Sequence, residues 1–355
     1  MCSELWINAI YYASAVGIVI SWILNTILFL FLRKTKTKTF GNYKYLMIAF
    51  AGTGIFYSTA NFVATPNVHI TKSSFYVFTA LKFGLPMWFG TLSVTVYCSC
   101  YATMLALLGI QFYYRFTSVT APMRLTMFFG WRNITKWALV VIGYTLAWAL
   151  TCFFLCGPTE RKDNELKEEI LKEYCMTKDE YAYVGAQYYY IDPVSVEKVW
   201  HIPSIIGMST FFVLMLITFV LVIYFGIRIY QALNESGVIA YASKELQKQF
   251  FETLVIQTVI PFFFMYVPVT CLFLFPITGW MMHGMQNWIP LLVAIFPCSE
   301  PMVALICMDD FRKGIYNYIT CFRNKQQQRI CALPLSISEH SQGTGEARNV
   351  CETEI

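Results

Sequence analysis

Seven long apolar segments constrain this chain more than any other feature of its sequence. A run of about 20 apolar residues is long enough to cross the hydrocarbon core of a bilayer as a helix. The runs are too long for barrel strands and lack their alternation, so helices are predicted instead of a β-barrel. The predicted fold class is an all-α integral membrane protein, a bundle of seven transmembrane helices. The predicted spans are 7–32, 43–64, 84–114, 136–156, 202–229, 249–275 and 287–308.

The composition excludes a soluble globular protein. Hydrophobic residues make up 57% of the chain and charged residues 13%, with a mean hydropathy of +0.52. Soluble domains contain about 25% charged residues. No internal repeat stands out, so we predict one membrane domain over residues 1–320. Residues 321–355 are polar and poor in aromatic residues, which predicts a disordered tail.

Lysine and arginine are concentrated in alternate loops, and this asymmetry predicts the orientation. The 32–43, 115–136 and 228–248 loops and the tail carry clusters of basic residues, whereas the amino end and the 276–286 loop have none. The long 157–201 loop has ten acidic residues against six basic ones. We therefore predict an extracellular amino terminus and a cytoplasmic carboxyl terminus. Because the basic residues are dispersed, the net charge of +5 does not indicate a nucleic-acid partner.

The twelve cysteines do not form a disulfide framework. Six of them lie within the spans, where small, polarizable packing is the expected role: Cys98, Cys100, Cys152, Cys271, Cys298 and Cys307. Cys156 and Cys175 are the only pair predicted at the outer face, where they are candidates for a disulfide at the base of the long loop. Cys321 follows the seventh span beside Phe322 and basic residues, and is either a palmitoylation site or a free cytoplasmic thiol.

Glu300 is the clearest ionisable residue inside a predicted span. Such groups cost about 2.5–3.5 kcal/mol on insertion scales and indicate function by default. Pro297 and Pro301 flank it, and each proline removes a helix hydrogen bond and leaves a carbonyl that needs another donor. Two interpretations stay open: a hydrogen-bonded structural group, or a switch that changes partners when the seventh helix moves.

The third span carries a stripe of residues at helical spacing: Tyr97, Tyr101, Met104 and Leu108. Arg115 ends this span on the same face, because eighteen residues make five helical turns. Ordinary helix packing, with an arginine reaching the membrane surface, explains this pattern. The sharper interpretation is a helix that presents a tyrosine-lined cavity at one end and a cationic contact at the other.

The sixth span contains three prolines, Pro261, Pro268 and Pro276. Prolines at this spacing predict kinks and a helix that can bend as a hinge. Tyr266 and Thr270 supply hydrogen-bonding groups close to the central proline. The sixth helix is therefore predicted to be mobile and to carry polar groups near its bend.

No catalytic or metal-binding pattern is present. None of the four histidines pairs with a cysteine or an acid at the spacing of metal ligands, and P-loop, GxSxG and HExxH motifs are lacking. We therefore predict that the protein is not an enzyme and uses no metal or cofactor. A transporter would usually show more buried acids, or interrupted helices in symmetric halves.

Several stretches carry a family resemblance that covers about residues 1–320. The matching stretches are "SELWI" at 3–7, "GNYKYLM" at 41–47, "YYRF" at 113–116, "LQKQFF" at 246–251, "IQTVIPFFFMYVP" at 256–268 and "FPCSEP" to "DFR" at 296–312. The chain thereby resembles the nematode chemoreceptor family Str (serpentine receptor class r), G-protein-coupled receptors that include the diacetyl odorant receptor.

The resemblance implies roles for individual residues. Arg115 corresponds to the arginine that contacts the G protein in rhodopsin-like receptors, and Pro301 to the proline of the seventh-helix motif. Asn25 corresponds to the asparagine of the first helix. Asp310-Phe311-Arg312 corresponds to the start of a short cytoplasmic surface helix at about 310–321.

The sequence also departs from the rhodopsin-like pattern. Tyr114 stands where an acid usually precedes the arginine, and Glu300 stands where Asp or Asn is more usual. The second span has no aspartate and the third has no cysteine at its outer end. Neither the sodium site nor the usual disulfide of those receptors is therefore implied.

By this resemblance the protein is a chemosensory, olfactory receptor that binds a small odorant-like molecule and activates a heterotrimeric G protein. Its location would be the plasma membrane, at the sensory cilium of a chemosensory neuron. Coupling or switching is assigned to Arg115, Glu300, Pro268 and Pro301. The expected pocket lies between the outer halves of the third, fifth, sixth and seventh helices and includes Tyr97, Tyr101, Met104, Met208, Tyr266, Thr270 and Trp288.

The sequence leaves two other functions open. A ligand-gated channel or transporter with seven helices is the main alternative, and a non-signalling membrane scaffold is the other. The loop charges argue against the inverted orientation found in insect odorant-receptor channels. The final residues, Thr353-Glu354-Ile355, fit the carboxyl-terminal motif that PDZ domains bind, although chance matches are common.

Overall fold

The structure of the protein is a computed structural model. It describes residues 3–34, 43–81, 84–125, 131–192, 196–234, 241–279, 285–308 and 312. All seven predicted spans are confirmed as helices long and apolar enough to cross a membrane. The helices are α1 Leu5–Lys34, α2 Tyr43–Ala64, α3 Met87–Thr120, α4 Trp131–Leu150, α5 Glu160–Tyr174, α6 Ile202–Asn234, α7 Tyr241–Pro261, α8 Val267–Thr278 and α9 Trp288–Cys307.

The sixth span is not one continuous helix, in agreement with its prolines. A π-helical turn, Phe262–Tyr266, separates α7 from α8 and follows Pro261 directly. Pro268 lies in the first turn of α8, where its missing N–H costs little. A proline and a π turn are the usual causes of sharp bends in helices. The regular α-helix of this span is therefore interrupted between its two halves, where the prolines predict a bend.

Two helices form the interior of the bundle. In their most apolar stretches, 61% of α3 and 72% of α9 is buried, against 11% for the fourth span and 22% for α6. The large side chains exposed along α1, α4 and α6 are mostly leucine, isoleucine and valine. Such rows suit contact with hydrocarbon, so α3 and α9 carry the residues that can form interior sites.

One end of the bundle is covered by a small unit that we call the cap, and we call the opposite end the far end. The cap consists of α5 and an antiparallel sheet in the order β1-β2-β3. The structure thus contains strands in two regions for which only loops are predicted. They are β1 Asn67–Ile70, β2 Ser74–Ala80 and β3 Tyr181–Gln187, with a separate hairpin of β4 Tyr189–Ile191 and β5 Lys198–Trp200.

The cap has its own apolar core. Aromatic side chains on one face of the sheet pack against the apolar face of α5, and most of these residues are fully buried. Tyr76 lies opposite Gly185 in the register, where a Cβ would collide with the Phe75 carbonyl oxygen. This core therefore requires a glycine at that position. Its members include Tyr76, Phe78, Leu166, Ile170, Tyr174, Tyr181 and Tyr183.

Polar contacts bind α5 to the sheet and to the start of α9. The Glu165 carboxylate accepts hydrogen bonds from the Tyr76 hydroxyl at 3.0 Å and from Gln187 Nε2 at 2.5 Å. The Tyr174 hydroxyl donates to Asn287 Oδ1 at 3.1 Å, and Gln286 Oε1 accepts from a β1 amide at 2.7 Å. The cap is therefore fastened to the bundle at several points.

Lys162 is fully buried in the cap, which is rare for a lysine. Its ammonium donates to the Gly157 carbonyl at 2.9 Å and to the Gly185 carbonyl at 3.0 Å. Burial lowers the pKa of this group because a low-dielectric interior disfavours the charged form. Lys162 thereby joins α5, the end of the fourth span and β3.

We expect Lys162→Met to destabilise the cap. Each buried carbonyl left without a donor costs about 1–3 kcal/mol, which exceeds the relief from removing one buried charge that is already well hydrogen-bonded. The thermal midpoint of the purified protein should fall by roughly 2–4 °C for each kcal/mol lost. Lys167→Met, at an exposed position of the same helix, is the matched control. Equal midpoints for the two variants would contradict this role.

The predicted Cys156–Cys175 disulfide is wrong. Cys156 is a buried free thiol at the end of the fourth span. Cys175 does form a disulfide, and the other described cysteines carry free thiols, so its partner lies outside the described residues. Cys175 also ends α5 in the left-handed conformation, with φ 61°. The sequence pairing failed because Cys156 turns into the bundle.

Candidate ligand cavity and coupling site

An apolar cavity of ≈ 90 Å³ lies between the cap and the bundle. The walls come from α2, α3, the end of the fourth span, α6, α8 and α9, and the inner face of the sheet forms the roof. The principal residues are Tyr57, Tyr97, Tyr101, Trp148, Cys152, Phe211, Leu272, Phe273 and Val293 in the walls, with Phe75, Val77 and Val184 in the roof.

The size and lining of the cavity limit what it can hold. An engineered apolar cavity of about 150 Å³ accommodates benzene, so a cavity of ≈ 90 Å³ suits a molecule of only a few heavy atoms without rearrangement. No Asp, Glu, Lys, Arg or His is among the described residues that line it. An ion would lose its hydration there without compensation. The cavity therefore suits a small, uncharged molecule.

Aromatic contacts hold the cavity walls together. Trp148 stacks on Phe211 with ring centroids 4.3 Å apart, and Tyr101 packs against Trp148 at 5.5 Å. The Tyr101 hydroxyl donates to Met215 Sδ, a weak acceptor, at 3.8 Å. The lone pairs of the hydroxyl oxygen stay available. Tyr57 and Tyr97 pack at 5.7 Å. Three tyrosine rings therefore take part in the walls of the cavity.

The predicted pocket residues separate into four groups. Tyr97 and Tyr101 line the cavity, whereas Met104 and Met208 are buried close by without lining it. Tyr266 and Thr270 line a separate crevice between α6 and the sixth span. Trp288 is 57% exposed and packs against Trp6, with ring centroids 5.7 Å apart, so it lies outside the cavity.

The roof residues were missed by sequence reasoning. Both faces of β2 and β3 are buried, so "SFYVFTA" and "YAYVGAQ" show no clean alternation. Their length and their content of aromatic and β-branched residues, bounded by turns, are the signals that identify such strands. No sequence pattern identifies the wall residues Trp148, Phe211 and Phe273, because an aromatic residue that lines a cavity cannot be distinguished in the sequence from one that is buried elsewhere in a span.

Arg115 is the centre of a second site, at the far end. It is only 3% exposed, and its guanidinium carbon lies 3.5 Å from the ring centroid of Tyr43 and 4.0 Å from that of Phe250. Its Nε and Nη2 have no hydrogen-bond partner among the described residues. We call Tyr43, Arg115 and Phe250 the aromatic clamp. Desolvated cation–π contacts contribute about 2 kcal/mol or more, so the clamp ties α2, α3 and α7 together.

A polar cluster lies next to the clamp, deeper in the bundle. Gln111 Nε2 donates to the Tyr43 hydroxyl at 2.6 Å, and its Oε1 has no partner among the described residues. Gln257 Nε2 donates to Glu300 Oε2 at 3.0 Å. These side chains and Asn25 line a cavity of ≈ 10 Å³, about the size of one water molecule. Glu300 is therefore held by α7 and lies beside the clamp.

Pro301 explains why Asn25 is buried there. Because Pro301 has no N–H, the Pro297 carbonyl lacks its helical donor. Asn25 Nδ2 reaches that carbonyl at 3.3 Å, and Ser21 Oγ lies 3.5 Å from it. A side-chain donor from α1 thus replaces the hydrogen bond that the proline removes from α9.

The comparison with known families identifies the chain. The family described as "Serpentine type 7TM GPCR chemoreceptor Str" matches residues 10–316. The protein belongs to the Str family of serpentine chemoreceptors. This membership confirms the resemblance noted in the sequence, and with it the prediction that the protein is a receptor and not an enzyme.

The relatives of this Str receptor match along nearly its whole length. "Serpentine receptor class r-10" of Caenorhabditis elegans is 29% identical over 96% of this chain and 99% of its own. The protein of that name in Caenorhabditis briggsae is 28% identical, over 92% and 94%. "G-protein coupled receptor str-33" of C. elegans is 26% identical, over 81% and 83%.

The fold of the Str receptor is similar to that of squid rhodopsin. The TM-score is 0.61, the identity is 12%, and the match covers 91% of this chain and 87% of that one. At this identity the likeness concerns the fold alone. Several predicted features lie outside the described residues: the surface helix at 310–321 apart from Arg312, Cys321, the 321–355 tail and its Thr353-Glu354-Ile355 ending.

Proposed function

We propose that this Str receptor binds a small, uncharged, odorant-like molecule in the cavity beneath the cap and activates a heterotrimeric G protein at the far end. The cavity is the observation that carries the proposal. It lies where several helices meet, so a bound molecule would contact elements that move relative to one another. Contacts that differ between two states are what allow a ligand to shift an equilibrium.

The energetics are compatible with a very small ligand. Moving a receptor from 1:99 to 99:1 in favour of an active state requires about 5.5 kcal/mol of differential binding. The best small ligands contribute about 1.5 kcal/mol for each heavy atom. A molecule that fits ≈ 90 Å³ can therefore switch the receptor only if nearly every atom is in contact with the walls. This favours a closely packed ligand.

Two elements reach from the cavity to the clamp. In α3, Tyr97 and Arg115 are separated by about 27 Å at a rise of ~1.5 Å per residue. In the sixth span, Phe273 lines the cavity and Phe250 belongs to the clamp, with the π turn and Pro268 between them. Bending at this hinge would change the distance between Phe250 and Arg115. We assign Arg115 to G-protein contact, and Glu300, Pro268 and Pro301 to switching.

The test is a screen of small ketones, aldehydes, alcohols and esters on cells that express the receptor. An agonist whose binding weakens when guanine nucleotide is added would support G-protein coupling. A ligand-gated current that persists without G proteins would support the channel alternative instead. Loss of both responses, with the receptor at the surface, would favour a scaffold.

The receptor assignment requires a cytoplasmic far end. The sequons begin at Asn133, in the first turn of α4, and at Asn234, the last residue of α6, so both lie at that end and we expect neither asparagine to be glycosylated in microsomes. Val196→Asn combined with Lys198→Thr supplies the positive control on the cap side. Val196 is exposed and has φ 57°, a conformation that asparagine tolerates. Glycosylation of Asn133 would show that the far end is extracellular and that the assigned orientation is wrong.

We also propose the plasma membrane of a chemosensory neuron, at its sensory cilium, as the location of the receptor. Family membership and the seven apolar helices support this placement. The carboxyl-terminal residues are proposed as a weak PDZ ligand, and Cys321 as a palmitoylation site. Both features would help to hold the receptor at a specialised membrane.

A further inference from the structure

The cap covers one end of the cavity in two layers. The inner layer is the sheet, whose Phe75, Val77 and Val184 side chains form the roof and are buried. The outer layer is α5, whose Leu166 and Ile170 are fully buried against the opposite face of the sheet. Over the described residues, the sheet and α5 therefore cover this end of the cavity, and polar contacts fasten them to the start of α9.

An apolar crevice of ≈ 280 Å³ lies between α6 and the sixth span, on the side of the bundle that faces the bilayer. Phe212, Leu216 and Val267 at its surface are 40–47% exposed. No charged residue is among the described residues that line it, as in the cavity. Met215 lies on its inner side, and Tyr266 and Thr270 of the sixth span also line it.

Only one layer of side chains separates the crevice from the cavity. Met215 lines the crevice and Tyr101 lines the cavity, and the Tyr101 hydroxyl contacts Met215 Sδ at 3.8 Å. Beside them, Phe211 of α6 stacks on Phe273 of α8 with ring centroids 6.1 Å apart. Methionine is unbranched and adopts many conformations, so a rotation of Met215 could join the two spaces.

We propose that this crevice is a second ligand site, through which small, uncharged, lipid-soluble molecules pass from the bilayer into the cavity. The closed cap, the matching uncharged linings and the shared Met215–Tyr101 wall carry the proposal. An apolar molecule concentrates in the membrane before it binds, so the crevice meets it at its highest concentration. The passage rests on the proposed function only in that the cavity is its destination.

Xenon is a suitable probe, because it is uncharged, soluble in lipid and known to occupy apolar protein cavities. Xenon NMR on the receptor in lipid bilayers would measure both the occupancy of the cavity and the rate of exchange. Thr270→Trp should fill the crevice and slow exchange by about tenfold or more, with the occupancy unchanged. Phe212→Ala should widen the crevice and speed exchange.

Ala138→Trp provides the matched control. Ala138 lies in a different bilayer-facing crevice, between α2, α3 and α4, so this variant should exchange xenon at the parent rate. Equal xenon exchange rates for Thr270→Trp, Phe212→Ala and the parent would overturn the proposed passage. A lipid chain that filled the crevice, and so made the exchange rate independent of both substitutions, would overturn it as well. Absence of xenon from the cavity would instead contradict the cavity itself, and with it the proposed function.

Discussion

Phe250→Leu is expected to raise ligand-independent nucleotide exchange by up to about 30-fold, because a lost desolvated cation–π contact of about 2 kcal/mol shifts an equilibrium by that factor. The Phe250 ring lies 4.0 Å from the Arg115 guanidinium and joins α7 to α3. Leucine keeps an apolar side chain but has no ring face for the cation. The measurement is basal GTPγS binding in membranes with equal receptor content.

The controls separate the clamp from general loosening of the bundle. Phe250→Tyr keeps the ring and should signal like the parent. Phe116→Leu removes a ring from the same end of α3 that packs on Phe225 and not on Arg115, so it should not raise basal exchange. Adding Arg115→Ala to Phe250→Leu should silence the receptor while ligand binding remains. Parent-level basal exchange in Phe250→Leu would refute the clamp as a restraint.

Val77→Phe is expected to lower the potency of any agonist found in the screen by more than about 100-fold. Val77 projects from the sheet into the cavity, and a phenyl ring would occupy much of the ≈ 90 Å³ available. Each ligand atom that is excluded from the cavity loses up to about 1.5 kcal/mol of binding free energy. Excluding two atoms is therefore enough to lower the affinity by about 100-fold. Dose–response curves at matched surface expression provide the measurement.

Val199→Phe is the matched control, since Val199 lies in the β4–β5 hairpin and does not line the cavity. Val293→Phe approaches the cavity from α9 and should reproduce the loss if the strand variant folds poorly. Full potency in both cavity variants would place the ligand elsewhere. Tyr97 and Tyr101 would then be ordinary packing residues of α3.

The elements that sequence reasoning predicted well are those whose length or spacing is imposed by the bilayer or by helix geometry. Each span shows itself locally, because about 20 apolar residues are needed to cross the membrane wherever a helix packs. The stripe that contains Tyr97 and Tyr101 follows from 3.6 residues per turn, and both residues line the cavity. The interruption of the sixth span directly after Pro261 follows from proline chemistry.

The predictions that failed or fell short concerned the direction in which individual side chains point. Cys156 and Cys175 are close in the sequence, yet one turns into the bundle and the other ends α5. Trp288 lies at the correct end of α9 but is exposed. The spans that carry Cys156 and Trp288 were predicted correctly, and the rotation of each about its own axis was decided by neighbours that no local pattern identifies. Helix α5, which ends at Cys175, lies in a region for which only a loop was predicted.

The sequence by itself determined the membrane class, the seven spans, Arg115 at the end of α3 and Glu300 between two prolines, because hydrophobic length, loop charge and proline chemistry act over a few turns. Only the tertiary structure decided that Arg115 lies between the rings of Tyr43 and Phe250, that Gln257 binds Glu300, and that a sheet roofs the cavity. These contacts join residues far apart in the chain. They depend on how each helix is rotated and packed. Many sequences with the same apolar pattern would pack their helices differently.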